Sequence, residues 1–136
     1  MIDFARMREL IRQVPRQCFE IQKALSAAVG GTAQISDMPR WSSSGDKLER
    51  DVISLSELRD AYAEAVDELE RMRAELRPCI NALDDPSERA VMRLRYMCGY
   101  SPEQIISSEN LGLSRASVYR YLRSAEARIV EKVDTQ

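Results

Sequence analysis

Eleven apolar residues, Leu48, Val52, Leu55, Leu58, Tyr62, Val66, Leu69, Met72, Leu76, Ile80 and Leu83, follow one another in ten steps of three or four that sum to 35. Their mean spacing of 3.5 residues is the period of a coiled coil rather than of a straight helix. A helix over 46–85 with such a stripe cannot stand alone in water, because the stripe must be buried against another surface. The nearest partner is the N-terminal segment. There Met7, Leu10, Ile11, Val14, Cys18, Ile21, Leu25 and Val29 recur at helical spacing, which predicts a helix over 3–29. Pro15 falls inside it, removing a backbone donor and crowding the preceding turn, so a kink or two shorter helices are expected. The expected arrangement for 1–83 is a long antiparallel helical hairpin. A second copy of the chain, forming a homodimer, is the other way to cover the stripe.

Between these segments lies GGTAQISDMPRWSSSGDK, residues 30–47, whose Gly, Ser and Pro content predicts a loop. Trp41 is the residue expected to pin that loop by packing back on the helices; a partner contact is its functional alternative. Asp46 is the expected N-cap of the long helix, with Glu49 closing a capping box. Pro78 should bend the helix near its C-terminal end.

Composition excludes several chemistries. There is no histidine, so neither a Ser-His-Asp nor a Cys-His pair can be built, and imidazole metal sites are ruled out. Gly30-Gly31 and Gly45 are not followed by the Gly-Lys-Ser/Thr of a phosphate-binding loop. The paired carboxylates Asp84-Asp85 read as solvated caps. We therefore expect no enzyme, no cofactor and no metal. No apolar run approaches ~18 residues, so no membrane span is expected. MIDFARMREL lacks the apolar region of a signal peptide, and Cys18, Cys79 and Cys98 have no paired spacing. Reduced thiols in a cytoplasmic protein are the expected setting.

Charge is unevenly distributed along the chain. Residues 46–85 hold 12 acids against 6 Lys+Arg, whereas 86–136 hold 8 Lys+Arg against 6 acids. An acidic hairpin would repel phosphates, so any contact with nucleic acid belongs to the C-terminal third.

That third, 84–136, reads as a second domain. Asp85 is an N-cap, Pro86 stands at N1 and Glu88 is placed to close a box at N3. Val91, Leu94 and Cys98 mark the inward face of that helix, which should end near Gly99. Ser101 caps the next helix, with Pro102 at N1, Gln104 at N3 and Ile105 and Ile106 inward; ENLG, 109–112, should end it. Ser114 caps the last helix, and Leu113 with Val118 fits a hydrophobic staple. Val118, Tyr121, Leu122, Ala125 and Ile129 form its buried stripe.

Two short helices joined by a glycine-bearing turn behind a supporting helix make a helix-turn-helix, whose second helix enters the major groove. The residues this stripe leaves exposed are the candidate DNA contacts: Ser114, Arg115, Ala116, Ser117, Tyr119, Arg120 and Arg123. Ser114 and Ser117 can donate to phosphates beside the helix N-terminus. Arg115 and Arg120 can present bidentate forks to guanine. Gly112 to Arg123 contains three arginines and no acid. The bland alternative is a solvated helix with ordinary arginines.

SERAVMRLRYMCGYSPEQII, followed by LGLSRASVYRYLRSAEARI, resembles region four of bacterial sigma factors. Arg95-Tyr96, Gly99, Ser101, Ile105, Leu111-Gly112, Ser114 and Val118 match its pattern in order. With SSSGDKLERDVISLSELR before it, most of the chain resembles the ArpU-like, sigma-region-four-like regulators of phages and mobile elements. The resemblance implies an all-α chain, a hairpin joined to a helix-turn-helix of the region-four type, and transcriptional regulation of phage or mobile-element genes. The Gly99-to-Ser114 separation exceeds the family's usual spacing by about two residues, which requires a longer second helix or a looser turn. The expected partner is double-stranded DNA. The alternatives are an adaptor binding RNA polymerase or a phage protein with little DNA contact, and a DNA-recognition component of phage packaging.

Overall fold

The computed structural model describes the backbone of residues 2–33, 41–108 and 111–134, and the side chains of 2–27, 54–108 and 111–133. Every regular element among them is helical. In chain order they are α1 (Phe4–Ala33), α2 (Trp41–Asn81), α3 (Pro86–Met92), α4 (Pro102–Ile106) and α5 (Arg115–Asp134), with a π turn at Arg93–Met97 following α3.

Two compact units result, one combining Met1–Ile11 with Leu69–Gln136 and the other formed by Arg12–Glu68. The division crosses both long helices instead of falling at the expected 83/84 boundary. The first turns of α1 carry Phe4, Met7, Leu10 and Ile11, all buried, and so belong to the same unit as the C-terminal helices.

Helix α1 begins where the Asp3 carboxylate accepts the Arg6 N–H at 3.0 Å. It runs as one helix through Pro15, so the expected division into two shorter helices does not occur. Pro15 is exposed, and one lost backbone bond does not stop a long helix. Both long helices also invade the expected loop. α1 continues through Gly30 and Gly31 to Ala33, and α2 starts at Trp41, so Asp46 lies within a helix and is not its N-cap. Glycine costs only about 1 kcal/mol relative to alanine inside a helix, which propagation from a long neighbouring segment can absorb. The side chains of Trp41, Asp46 and Glu49 lie outside the described residues.

The first unit holds most of the core. Leu69, Leu76, Ile80 and Leu83 of the stripe are buried there, beside Val91, Met92, Tyr96, Ile105, Val118, Leu122, Ala125 and Ile129. α3 and α4 both pack on α5. The second unit is more sparingly covered. Among its described side chains only Ala65 is buried; Leu55, Leu58, Tyr62 and Val66 are half-buried, as are Val14, Cys18, Ile21 and Leu25. The described part of the 3.5-residue stripe, Leu55 to Leu83, is therefore only partly covered within one chain.

The corner after α2 is closed locally. Pro78 lies inside the helix, which stops at Asn81, and the Arg89 guanidinium donates to the carbonyls of Leu83 and Asp84. Asp85 then caps α3, its carboxylate accepting the Ser87 N–H at 2.8 Å, with Pro86 in the first turn. Glu88 does not close the expected box. Its side chain turns inward, buried, and accepts from Ser124 Oγ at 3.0 Å and Arg128 Nη1 at 3.4 Å. A buried carboxylate requires partners, and α5 supplies both.

Tyr96, four residues after buried Met92, continues the inner face of Glu88, Val91 and Met92 through the π turn, whereas Cys98, expected inward, is exposed. The segment ends on Gly99 at φ +79°, with Tyr100 N–H reaching back to the Leu94 carbonyl at 2.9 Å, a closure that requires a left-handed residue. Arg73 of α2 donates through Nε to the Tyr96 carbonyl at 2.7 Å, pairing a main-chain group within the π turn.

Tyr96 is the centre of this unit. Its ring tilts against Phe4 with centroids 5.2 Å apart. Its hydroxyl donates to Glu126 Oε1 and accepts from Arg8 Nη1 at 3.0 Å, and Arg8 also reaches Glu126 at 3.4 Å. Burial, then the hydrogen bond and charge of Glu126, push the Tyr96 phenol well above its ordinary value. For Arg8, burial works against the charge but the Tyr96 hydrogen bond and the negative groups outweigh it. Because the folded phenol titrates higher than the unfolded one, its stabilisation is complete below about pH 10 and is lost as pH rises further, by up to about 1.4 kcal/mol per unit. Tyr96→Phe should flatten that alkaline loss and cost about 1–3 kcal/mol at neutral pH by leaving Glu126 a partner short. Thermal melts of both proteins between pH 7 and 11 check this.

Candidate nucleic-acid interface

The site is built on α4, the turn after it and the first three turns of α5. Ser101 caps α4 with both bonds of a capping box: Gln104 N–H to Ser101 Oγ at 3.2 Å, and Ser101 N–H to Gln104 Oε1 at 2.8 Å. Ile105 is fully buried and anchors the helix. α4 ends at Ile106 rather than within 109–112, and Ser108 N–H closes it by bonding the Ile105 carbonyl at 3.1 Å. Serines at 107 and 108 favour such local closure over another helical turn. The extra length expected between Gly99 and Ser114 is therefore not in α4; residues 109–110 lie outside the described residues, and Gly112 after them takes φ +60°.

Ser114 leads into α5. The Ser117 N–H donates to its hydroxyl at 3.2 Å, and the two hydroxyls are 3.0 Å apart. Val118, Leu122, Ala125 and Ile129 are buried along one side. The candidate contacts lie on the remaining surface: Ser114, Arg115, Ala116, Tyr119, Arg120 and Arg123 are exposed, and Ser117 is half-buried. Tyr121, expected inside the stripe, is only half-buried, and the Arg120 guanidinium lies over its ring at 5.3 Å. Such stacking covers part of Tyr121 while leaving the charged edge in solvent.

Two of the candidates are joined by Glu103, a residue that the spacing of motifs does not single out. Its carboxylate, on α4, accepts from Arg115 Nη1 at 3.1 Å and from the Tyr119 hydroxyl at 3.2 Å. Arg115 and Tyr119 are one helical turn apart, so a single carboxylate reaches both. Among the described residues no carboxylate pairs with Arg120 or Arg123. The only signal for Glu103 was an acid in the first turn of α4, the position where acids commonly serve the helix dipole.

Residues 39–130 match the model of a family described as "Protein of unknown function (DUF1492)". The chain belongs to that family. The DUF1492 match takes in α2, α3, α4 and most of α5, so every candidate contact and Glu103 fall inside it, whereas Phe4 and Arg8 fall outside. No curated protein and no solved structure matches the chain. No helix among the described residues is long and apolar enough to cross a membrane.

Proposed function

We propose that this member of the DUF1492 family is a sequence-specific DNA-binding regulator of transcription, with α4, the turn and α5 acting as a helix-turn-helix. The observation that carries the reading is the segregation of α5: Val118, Leu122 and Ala125 are buried while Arg115, Arg120 and Arg123 are exposed on the same three turns. That is the disposition a helix needs to lie in a major groove with its other side packed on a support. Small residues at Ser114, Ala116 and Ser117 allow close approach of the helix N-terminus to the DNA backbone. The resemblance to sigma-region-four-like regulators suggests phage or mobile-element genes as targets.

The half-covered stripe of the second unit favours a homodimer. Two copies would complete the burial of Leu55, Leu58, Tyr62 and Val66 and set two α5 helices on paired half-sites. Sedimentation at micromolar concentration is expected to give a dimer; a strict monomer, with and without DNA, would remove this arrangement. An adaptor that binds RNA polymerase or a phage protein is the second reading. It is favoured by an apolar depression of about 280 Å³ walled by Ile80, Met97 and Cys98 and edged by Arg77, Asn81 and Arg93.

Selection of bound sequences from random duplex DNA tests the first reading. Arg115→Ala and Arg120→Ala should each lose about 1–3 kcal/mol at the selected site and relax base preference there. Arg123→Ala, farther from the helix N-terminus, should weaken all sequences alike and lower the salt slope by about one. Exposed substitutions should leave the fold within about 0.5 kcal/mol of the parent. If all three variants bind DNA as the parent does but lose a protein partner, the adaptor reading replaces the DNA reading.

A further inference from the structure

We propose that Glu103 is a specificity-determining residue: by holding Arg115 and Tyr119 it suppresses indiscriminate DNA binding and presents Arg115 to its base in a fixed pose. The inference rests on the DNA-binding reading above.

The geometry has three parts. Glu103 is carried by a short helix whose start is locked by the Ser101–Gln104 capping box and whose inner face is anchored by buried Ile105. Its carboxylate therefore starts from a well-defined backbone position. It accepts two hydrogen bonds from neighbouring turns of α5, one from Arg115 and one from Tyr119. The bond to Arg115 uses only Nη1. Nε and Nη2 are left to form the paired bonds that guanine O6 and N7 accept.

This geometry acts on binding in two ways. Indiscriminate association depends on cations neutralising phosphates, and Glu103 offsets one of the three arginine charges at the start of α5. A long side chain also loses rotamer freedom when it meets a base, and a guanidinium already held loses less. The first effect weakens binding to every sequence, and the second is recovered only at the cognate base. The first lowers indiscriminate binding in absolute terms, and the second widens the gap between right and wrong sites.

The test compares the full chain, Glu103→Gln and Glu103→Asp on a selected duplex and on a scrambled duplex of equal length, by fluorescence anisotropy across a salt series. Glu103→Gln should bind the scrambled duplex about three- to tenfold more tightly, with a salt slope steeper by about one, and change less on the selected duplex. Glu103→Asp keeps the charge but is one methylene shorter. It should leave scrambled binding near the parent's and weaken selected binding about two- to fivefold. A Glu103→Gln variant that discriminates as well as the parent, or better, overturns the role of Glu103 while leaving the DNA reading intact. A parent that does not distinguish the two duplexes overturns the DNA reading, and the inference with it.

Discussion

A chain lacking residues 1–11 should lose the cooperative fold of its C-terminal unit, although the deletion touches none of the candidate DNA contacts. Phe4, Met7, Leu10 and Ile11 are buried in that unit, and Arg8 bonds both Tyr96 and Glu126. Each large apolar side chain contributes about 1.5–3 kcal/mol on burial. With Ile2, also buried, five such side chains go, which is comparable to the whole stability of a small domain, about 5–15 kcal/mol. The deletion also strips Tyr96 of its aromatic neighbour and leaves Glu126 without Arg8. Far-ultraviolet circular dichroism should still report helix, because α2 retains its own sequence, but the sigmoidal melt of the parent should be lost. A deletion variant that melts like the parent would show that α1 is dispensable to the unit. The same reasoning predicts that residues 84–136 alone do not fold, since they lack Leu69, Leu76 and Ile80 as well.

Leu69→Asp should be severely destabilising, lowering stability by several kcal/mol. Leu69 is 3% exposed and stands where the stripe of α2 enters the first unit. A carboxylate there would lose its hydration to an apolar seam that offers it no compensating bond. The same change at Leu58, which is half-buried in the second unit, should cost a monomer much less. Denaturant titration of both variants separates the two positions. Equal losses at high dilution would mean that the second unit is as tightly packed as the first. An unchanged melting temperature for Leu69→Asp would show that position 69 tolerates water.

Much of the local architecture was legible from spacing. The caps at Asp85, Ser101 and Ser114 rest on bonds between residues two or three apart, and a pattern of Ser, Asp, Pro and Gln at those offsets is enough to place them. The buried side of α5 followed from the 3.6-residue period for the same reason, and so did the exposed candidates opposite it. Helix ends in low-complexity stretches were less legible. Gly30, Gly31 and the serines at 42–44 discourage helix only weakly, so whether α1 and α2 stop there depends on what propagates into them.

What the sequence by itself determined is an all-helical chain with capped C-terminal helices and an arginine-bearing surface on the last one, because each of these is written in neighbours a few residues apart. Tertiary structure decided the rest. Whether Glu88 caps its own helix or turns in toward Ser124 and Arg128 depends on a helix 36 to 40 residues away. The buried Tyr96 hydroxyl is held by Arg8, 88 residues earlier, and Glu126, 30 later. Glu103 meets Arg115 only because the turn folds α4 onto α5. Local periodicity states which face of a helix is apolar; which distant side chain completes a buried carboxylate or holds an arginine is set by how the faces pack.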